Sequence, residues 1–213
     1  MTHNGSYWFD SLDAPYVQEA PTPLPAAVDV AIIGGGYTGL WTAYYLSELN
    51  PSLKIAVLEA ETFGFGASGR NGGWCMGTAH GVETLLARPE SRGSGLALAR
   101  AMQATVDEIG QVTKTLDIDC HFKKGGNLTV ATQAFHVPQL QAELQHLREL
   151  GFSEDDYAWL PAGEAQQRVQ TQQNFGALFT PHCAAIHPAR LVRGLAASLA
   201  ARGVECVAST RVT

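Results

Sequence analysis

Val28-Asp-Val-Ala-Ile-Ile-Gly-Gly-Gly-Tyr-Thr-Gly39 is the stretch whose reading decides the fold. Its first six residues are β-branched or small and apolar apart from Asp29, which suits a short strand buried on both faces. Glycines follow at once, and Gly34, Gly36 and Gly39 fit the spacing G-x-G-x-x-G. The first permits a tight turn, the second lets the backbone approach a pyrophosphate, and the third lets helix and strand pack closely. Residues 40–49 then read as a helix, stopped by Asn50-Pro51. Lys54-Ile-Ala-Val-Leu58 is a second buried strand. The glycine pattern alone is weak; a β-α-β unit of about thirty residues around it is the context it requires. Such a crossover makes its strands parallel.

The start of that helix offers N–H groups without intrahelical acceptors and about half a positive charge. An acidic chain can therefore hold a dianionic group there without a local lysine. Tyr37 and Thr38 join the three glycines as candidate contacts. Glu59 ends the second strand, 20 residues after Gly39. A carboxylate at that place accepts hydrogen bonds from a ribose 2′-OH and repels a 2′-phosphate, which implies an adenosine ribose and disfavours NADP.

Composition narrows the remaining classes. Of 213 residues, 46% are hydrophobic and 16% charged, so a core can form and wholesale disorder is excluded. A net charge of −6 gives no global field for nucleic acid or an anionic membrane. No apolar run approaches the ~18–20 residues of a spanning helix. Cys75, Cys120, Cys183 and Cys206 form no CxxC pair, which argues against a zinc knuckle or a dithiol redox motif. Residues 1–27 lack the basic and apolar regions of a secretory signal, and a cytoplasmic setting with reduced thiols is expected. Pro15, Pro21, Pro23 and Pro25 predict an extended N-terminal segment.

Further along, Gly64-Phe-Gly-Ala-Ser-Gly-Arg-Asn-Gly-Gly73 has neither helical nor strand period. Glycine lets such a loop pass close to a ligand. Ser68, Arg70 and Asn71 supply donors, and a guanidinium beside a pyrophosphate is physically sensible. Residues 98–116 carry an amphipathic helical period. Residues 122–131 read as a hairpin around Gly125-Gly126. Residues 137–150 read as a helix closed by Gly151, and 176–180 as a strand. Residues 188–202 read as a helix with proline at its start and Gly203 just beyond it, and 204–208 as a third parallel strand.

The run Ile33-GGGYTGL…VLEAETFGFGASGRNGG, ending at Gly73, resembles the FAD-dependent amine and D-amino acid oxidase family. It looks closest to the branch of γ-glutamylputrescine oxidases and related glycine, sarcosine and aminophosphonate oxidoreductases. Lys124-Gly-Gly-Asn-Leu128 resembles the family's hairpin into the substrate domain. Ala185-Ile-His-Pro-Ala-Arg-Leu191 resembles its GGxxHPxxL return, with Ala184 and Ala185 replacing the two glycines. Residues 204–212 resemble a strand pair whose backbone meets the adenine.

The resemblance implies an α/β, glutathione-reductase-like (Rossmann-type) FAD-binding domain with a parallel sheet, interrupted by part of an α+β substrate domain. The expected boundaries are 1–27 extended, 28–117 FAD-binding, 118–183 substrate domain and 184–213 FAD-binding again. It implies that Gly34, Gly36, Tyr37, Thr38 and Gly39 serve the pyrophosphate and Glu59 the ribose. Ser68, Arg70, Asn71, Gly72 and Gly73 would line the pyrophosphate, ribityl chain and flavin, and Val212 the adenine. His187 would stand at a domain junction, in a mainly structural role. Trp74, Cys75, Met76 and His80 follow the second glycine cluster and could lie near the ring, with packing as their other reading.

The expected activity is oxidation of a C–N bond in a small amine or amino acid. A neutral amine would lose hydride to flavin N5, and the imine would hydrolyse; oxygen would be the acceptor in an oxidase. No general base is identified, and the catalytic groups are expected largely downstream. Two alternatives stay open: an NAD(P)H-dependent flavoprotein reductase, which would need a second GxGxxG, and a non-catalytic dinucleotide-binding module. A strand order of 3-2-1 would leave residues 28–33 at an open edge, so a piece of a longer flavoenzyme is expected.

Overall fold

The computed structural model describes residues 5–13 and 23–213. In chain order the elements are α1 (Tyr7–Asp10), β1 (Val30–Ile33), α2 (Tyr37–Leu49), β2 (Ile55–Leu58), β3 (Trp74–Met76), α3 (Val82–Leu86) and α4 (Arg92–Thr115). There follow β4 (Lys123–Lys124), β5 (Asn127–Val130), α5 (His136–Leu150), β6 (Ala158–Leu160), α6 (Ala162–Arg168), β7 (Ala177–Thr180), β8 (Cys183–Ala185), α7 (Pro188–Ala201) and β9 (Glu205–Val207). They fall into two compact units. The first takes the described residues of Met1–Gly73, with Val112–Phe122 and Ile186–Thr213; the second takes Trp74–Gln111 and Lys123–Ala185. Residues 74–111 thus group with the second unit, whereas the sequence boundaries put them with the first.

The first unit is built on a parallel sheet of order β1-β2-β9. Val30 pairs with Ile55, and Val57 with both Ile32 and Cys206. The predicted β-α-β unit and the 3-2-1 order are both present. The expectation of burial on both faces holds for β2, where Ile55, Ala56 and Val57 are buried. It fails for β1, whose residues alternate and whose Ile33 is 71% exposed. Among the described residues β1 has one neighbouring strand, so its outward side chains find no cover.

Helices α2 and α7 pack on each other, α2 also against β1 and β2 and α7 against β9. Leu191, Val192, Leu195, Ala196 and Leu199 make the buried stripe of α7 at helical spacing. Each leucine so buried stabilises by about 1.5–3 kcal/mol. Pro188 stands in the first turn, where its missing N–H costs nothing, and Gly203 follows the end.

The extended reading of residues 1–27 is corrected at α1. This short helix buries Phe9 completely, so the segment is anchored by an apolar side chain rather than lying solvated. Pro15 and Pro21 lie outside the described residues. The pair of strands read over 204–212 reduces to β9 alone. Ser209 adopts φ 51°, which breaks the extended run. Beyond it the chain turns back, with Ser209 N–H donating to Glu61 O and Thr210 N–H to Glu59 O, each at 2.8 Å.

The second unit holds two antiparallel sheets, β3-β8-β4 and β5-β7-β6. The hairpin read over 122–131 does not form. β4 pairs with β8 and β5 with β7, so Gly125-Gly126 carries the chain from one sheet to the other. Strand β3 went unseen in the sequence because it is three residues long and its partner, Cys183–Ala185, lies more than a hundred residues away. Ala184 and Ala185 sit in that central strand. Helices α4 and α5 close on cores around Leu86, Leu150 and Phe152 and around Leu140 and Leu178. No helix among the described residues is long and apolar enough to cross a membrane.

Candidate cofactor site

The residues predicted to bind the cofactor lie in the first unit, whereas Trp74, Cys75, Met76 and His80, read as possible neighbours of the ring, lie in the second. The turn between β1 and α2 carries the first group. Gly34 sits at φ +105°, a conformation that side chains disfavour. A Cβ on Gly39 would stand 2.0 Å from the Gly34 carbonyl oxygen and 3.3 Å from Ile32, so helix and strand meet too closely for any side chain. Gly36 is the N-cap of α2, and α2 begins at Tyr37, three residues earlier than its apolar pattern indicates. Thr38 is exposed on the first turn, and the Tyr37 hydroxyl donates to Pro188 O at 3.1 Å.

Glu59 closes the turn from below. One carboxylate oxygen accepts the Gly35 N–H at 2.7 Å and the other the Glu61 N–H at 2.9 Å. A carboxylate has about four acceptor positions, so two remain for a diol. The Val212 segment is brought to the same place through the bonds of Ser209 and Thr210 to Glu61 and Glu59, and Val212 itself is 46% exposed.

The second glycine cluster folds onto the first. Gly64 N–H donates to Gly35 O at 3.0 Å. Ser68 Oγ accepts the Tyr37 N–H at 2.9 Å, and a Cβ on Gly36 would come within 2.9 Å of that same oxygen. Ser68 therefore caps the helix that Gly36 starts. Asn71 braces its own loop: Nδ2 donates to Ser68 O at 3.0 Å and Ala67 O at 3.3 Å, and Oδ1 accepts the Gly73 N–H at 2.9 Å. Gly73 has φ +70°, and a Cβ there would lie 2.5 Å from Ile186 O. Arg70 is exposed; Nε donates to Phe65 O at 2.6 Å and its guanidinium lies 4.8 Å from the centre of the Phe65 ring. Gly72 is exposed, with open space where a Cβ would stand.

His187 is buried and is the N-cap of α7. Its Nδ1 accepts the Arg190 N–H at 3.2 Å, so the neutral ring carries its proton on Nε2 and donates to Ser11 Oγ at 3.1 Å. Ser11 in turn donates to Trp8 O at 3.0 Å. Burial, then the charge of Arg190 and the neighbouring His121, push the imidazole below its ordinary value. Ser6, Trp8, Phe9 and Ser11 were invisible as site residues in the sequence. The signal available, three adjacent aromatics between two serines, has no period.

In the second unit, Trp74 and His80 are exposed and Cys75 is half-buried in β3. Burial opposes ionisation of Asp156, but hydrogen bonds from Arg100 and Ser153 outweigh it and hold the carboxyl well below the usual range. An apolar cavity of about 120 Å³ lies among Val82, Leu86, Ala99, Leu147, Leu150 and Phe152. Among the described residues no cluster of His, Cys, Asp and Glu could hold a metal, and none of the four cysteines forms a disulfide.

The geometry can cradle a dinucleotide. It provides a helix start reached through a glycine turn in which Gly39 has no room for a Cβ, a carboxylate at the strand end, and a second glycine loop capping the first. Comparison with known proteins agrees. The family model described as FAD dependent oxidoreductase (DAO) matches residues 29–213. γ-Glutamylputrescine oxidoreductase of Escherichia coli K12 is 30% identical over 190 residues, covering 87% of this chain and 42% of that protein. L-2-hydroxyglutarate dehydrogenase of Escherichia coli O17:K52:H18 is 26% identical over 191 residues, covering 87% of this chain and 40% of that protein. The chain thus spans less than half the length of these relatives. Among solved structures, glycine oxidase from Geobacillus kaustophilus superposes with a TM-score of 0.61 at 25% identity, covering 87% of this chain and 47% of that one. A Rossmann-type glycine turn, its acidic strand end and the family match lead to one conclusion: the chain belongs to the DAO family of FAD-dependent oxidoreductases.

Proposed function

We propose that these residues form the FAD cradle of an enzyme that oxidises the C–N bond of a small amine or amino acid. The observation that carries the reading is the junction of the two glycine clusters, where Ser68 caps the helix begun by Gly36 and Gly64 bonds to Gly35. In this reading Gly34, Gly36, Thr38 and Gly39 present the backbone and helix start to the pyrophosphate. Glu59 accepts the ribose hydroxyls with its two remaining acceptor positions. Ser68, Arg70, Asn71, Gly72 and Gly73 follow the cofactor toward the flavin, and Arg70 supplies positive charge. Tyr37 orients the turn through Pro188, and Val212 borders the adenine. When bound, FAD supplies the two-electron acceptor for hydride from the carbon beside nitrogen. Oxygen is the proposed final acceptor, and a cytoplasmic setting is the proposed one.

The similarity to a hydroxyglutarate dehydrogenase favours one second reading, oxidation of a C–O bond in a hydroxy acid. One experiment separates the two. The protein is reconstituted with FAD and its visible spectrum is followed under anaerobic conditions. γ-Glutamylputrescine, sarcosine, glycine, a D-amino acid and L-2-hydroxyglutarate are added in turn. Bleaching by an amine and not by the hydroxy acid supports the proposal. Bleaching by the hydroxy acid alone replaces it, and a protein that stays colourless with FAD removes both.

A further inference from the structure

The segment containing α1 divides its contacts between the second glycine cluster and the start of α7. Ser6, only 4% exposed, donates from Oγ to Gly69 O at 2.6 Å. Trp8 donates from Nε1 to Asn71 O at 2.6 Å. A Cβ on Gly69 would fall 2.3 Å from the Phe9 ring and 2.4 Å from the Gly64 carbonyl oxygen, so glycine there serves both the docking of the helix and the turn of the loop itself. The Trp8 ring also lies over Gly73, 3.3 Å from where its Cβ would be. The segment is fixed on its other side. The Trp8 and His187 rings meet edge to face at 5.1 Å, His187 donates to Ser11, and Asp13 pairs with Arg190 at 2.7 Å. Thus carbonyls at both ends of the 69–71 stretch are held by donors 63 residues earlier, and Trp8 is in turn held by His187 at the N-terminus of α7.

A glycine-rich loop has many backbone conformations to lose, so its binding geometry is costly unless something fixes it beforehand. Two carbonyls pinned from outside remove much of that freedom before any ligand arrives.

We propose that Ser6, Trp8 and Phe9 are positioning residues for the cofactor: α1 is a clamp that holds residues 66–73 in the conformation that receives FAD. The inference rests on the assignment of this loop to FAD above. None of the three residues need touch the cofactor. The clamp acts through Gly69, Asn71 and Gly73. Phe9 is core as well as clamp, so the tests fall on the two hydrogen bonds.

The variants are Trp8→Phe, which keeps a ring beside His187 but removes the donor to Asn71, and Ser6→Ala, with Ser6→Thr as the rescue. Amide hydrogen exchange is measured on the protein without FAD, and FAD affinity by equilibrium titration. A lost neutral hydrogen bond is about fivefold in an equilibrium constant. Exchange in residues 66–73 should therefore quicken about fivefold in each variant while α7 and β2 keep their protection, and FAD should dissociate about fivefold more readily. Ser6→Thr should restore both. Unchanged exchange in 66–73 overturns the clamp, and so does faster exchange that is equal in β2 and α7, which would make α1 a general stabiliser. If the unaltered protein binds no FAD, the assignment of the loop fails, and the exchange data still decide whether α1 holds it.

Discussion

The two glycine clusters meet at one site and differ in how far away their anchors lie. The first, residues 34–39, is fixed by its own backbone. Gly34 needs its positive φ, Gly39 abuts the Gly34 carbonyl, and strand and helix flank the turn on either side. The second, residues 64–73, has backbone constraints too, with Gly69 against Gly64 O and Gly73 against Ile186 O, and adds side chains: its own Ser68 and Asn71, and Ser6 and Trp8 from far away. The same residue type therefore does different work. In the first cluster Gly39 relieves a clash with the Gly34 carbonyl, and Gly34 adopts a φ that side chains disfavour. In the second, Gly64, Gly69 and Gly73 leave room for Val192, Phe9 and Trp8, while a Cβ on Gly66 or Gly72 would meet open space.

Substitution should expose that difference, and the largest effect belongs to the first cluster. Gly39→Ala places a methyl against a backbone oxygen that cannot rotate away. It should cost about 3 kcal/mol, the upper range for overpacking, read as a lower urea midpoint. Glu59→Ala leaves the Gly35 and Glu61 N–H groups without their acceptor and should cost about 1–3 kcal/mol, with FAD binding weakened as well. Ser68→Ala removes the cap on α2 and should cost about 1 kcal/mol. Should this variant prove as damaging as Gly39→Ala, the second cluster is no mere attachment to the first.

Two smaller effects sharpen the contrast. His187 is held neutral, with its folded value below the ordinary imidazole value of about 6.5. The unfolded chain therefore binds the proton more readily. The stability its neutral form contributes is full above that value and falls away as pH drops below it. A protonated ring also loses the acceptor for Arg190 N–H. Moving from pH 7.5 to pH 5.5 should loosen exchange in residues 5–13 and 66–73 more than in 34–39, and an equal response in all three would contradict the separate anchoring. Gly72→Ala should change stability by under about 0.5 kcal/mol, since its Cβ meets open space. Any loss of FAD in that variant then reports contact with the cofactor rather than folding.

The first cluster was legible in the sequence because everything that shapes it is local. Strand, glycines, helix and Glu59 fall within thirty-two residues, and the spacing alone carries the geometry. The strands of the parallel sheet were legible for the same reason, from short β-branched runs. Their burial was not: Val30–Ile33 and Ile55–Leu58 look alike as sequence, yet β1 lies at an edge and β2 between two neighbours. The second cluster could be seen as glycine-rich but not as anchored, because Trp8 and Asn71 are 63 residues apart and nothing periodic links them. The failed hairpin at Gly125-Gly126 has the same origin. A glycine pair signals that the chain turns, and only the distant partners β8 and β7 decide that it turns between sheets.

The central claim is that the two clusters form one FAD cradle. Hydrogen exchange with and without FAD tests it most directly, because each cluster is read separately in one experiment. Added FAD should slow exchange in both 34–39 and 66–73, and leave β5 and β7 of the second unit unchanged. Slowing confined to 34–39, or absent from both, would contradict the account.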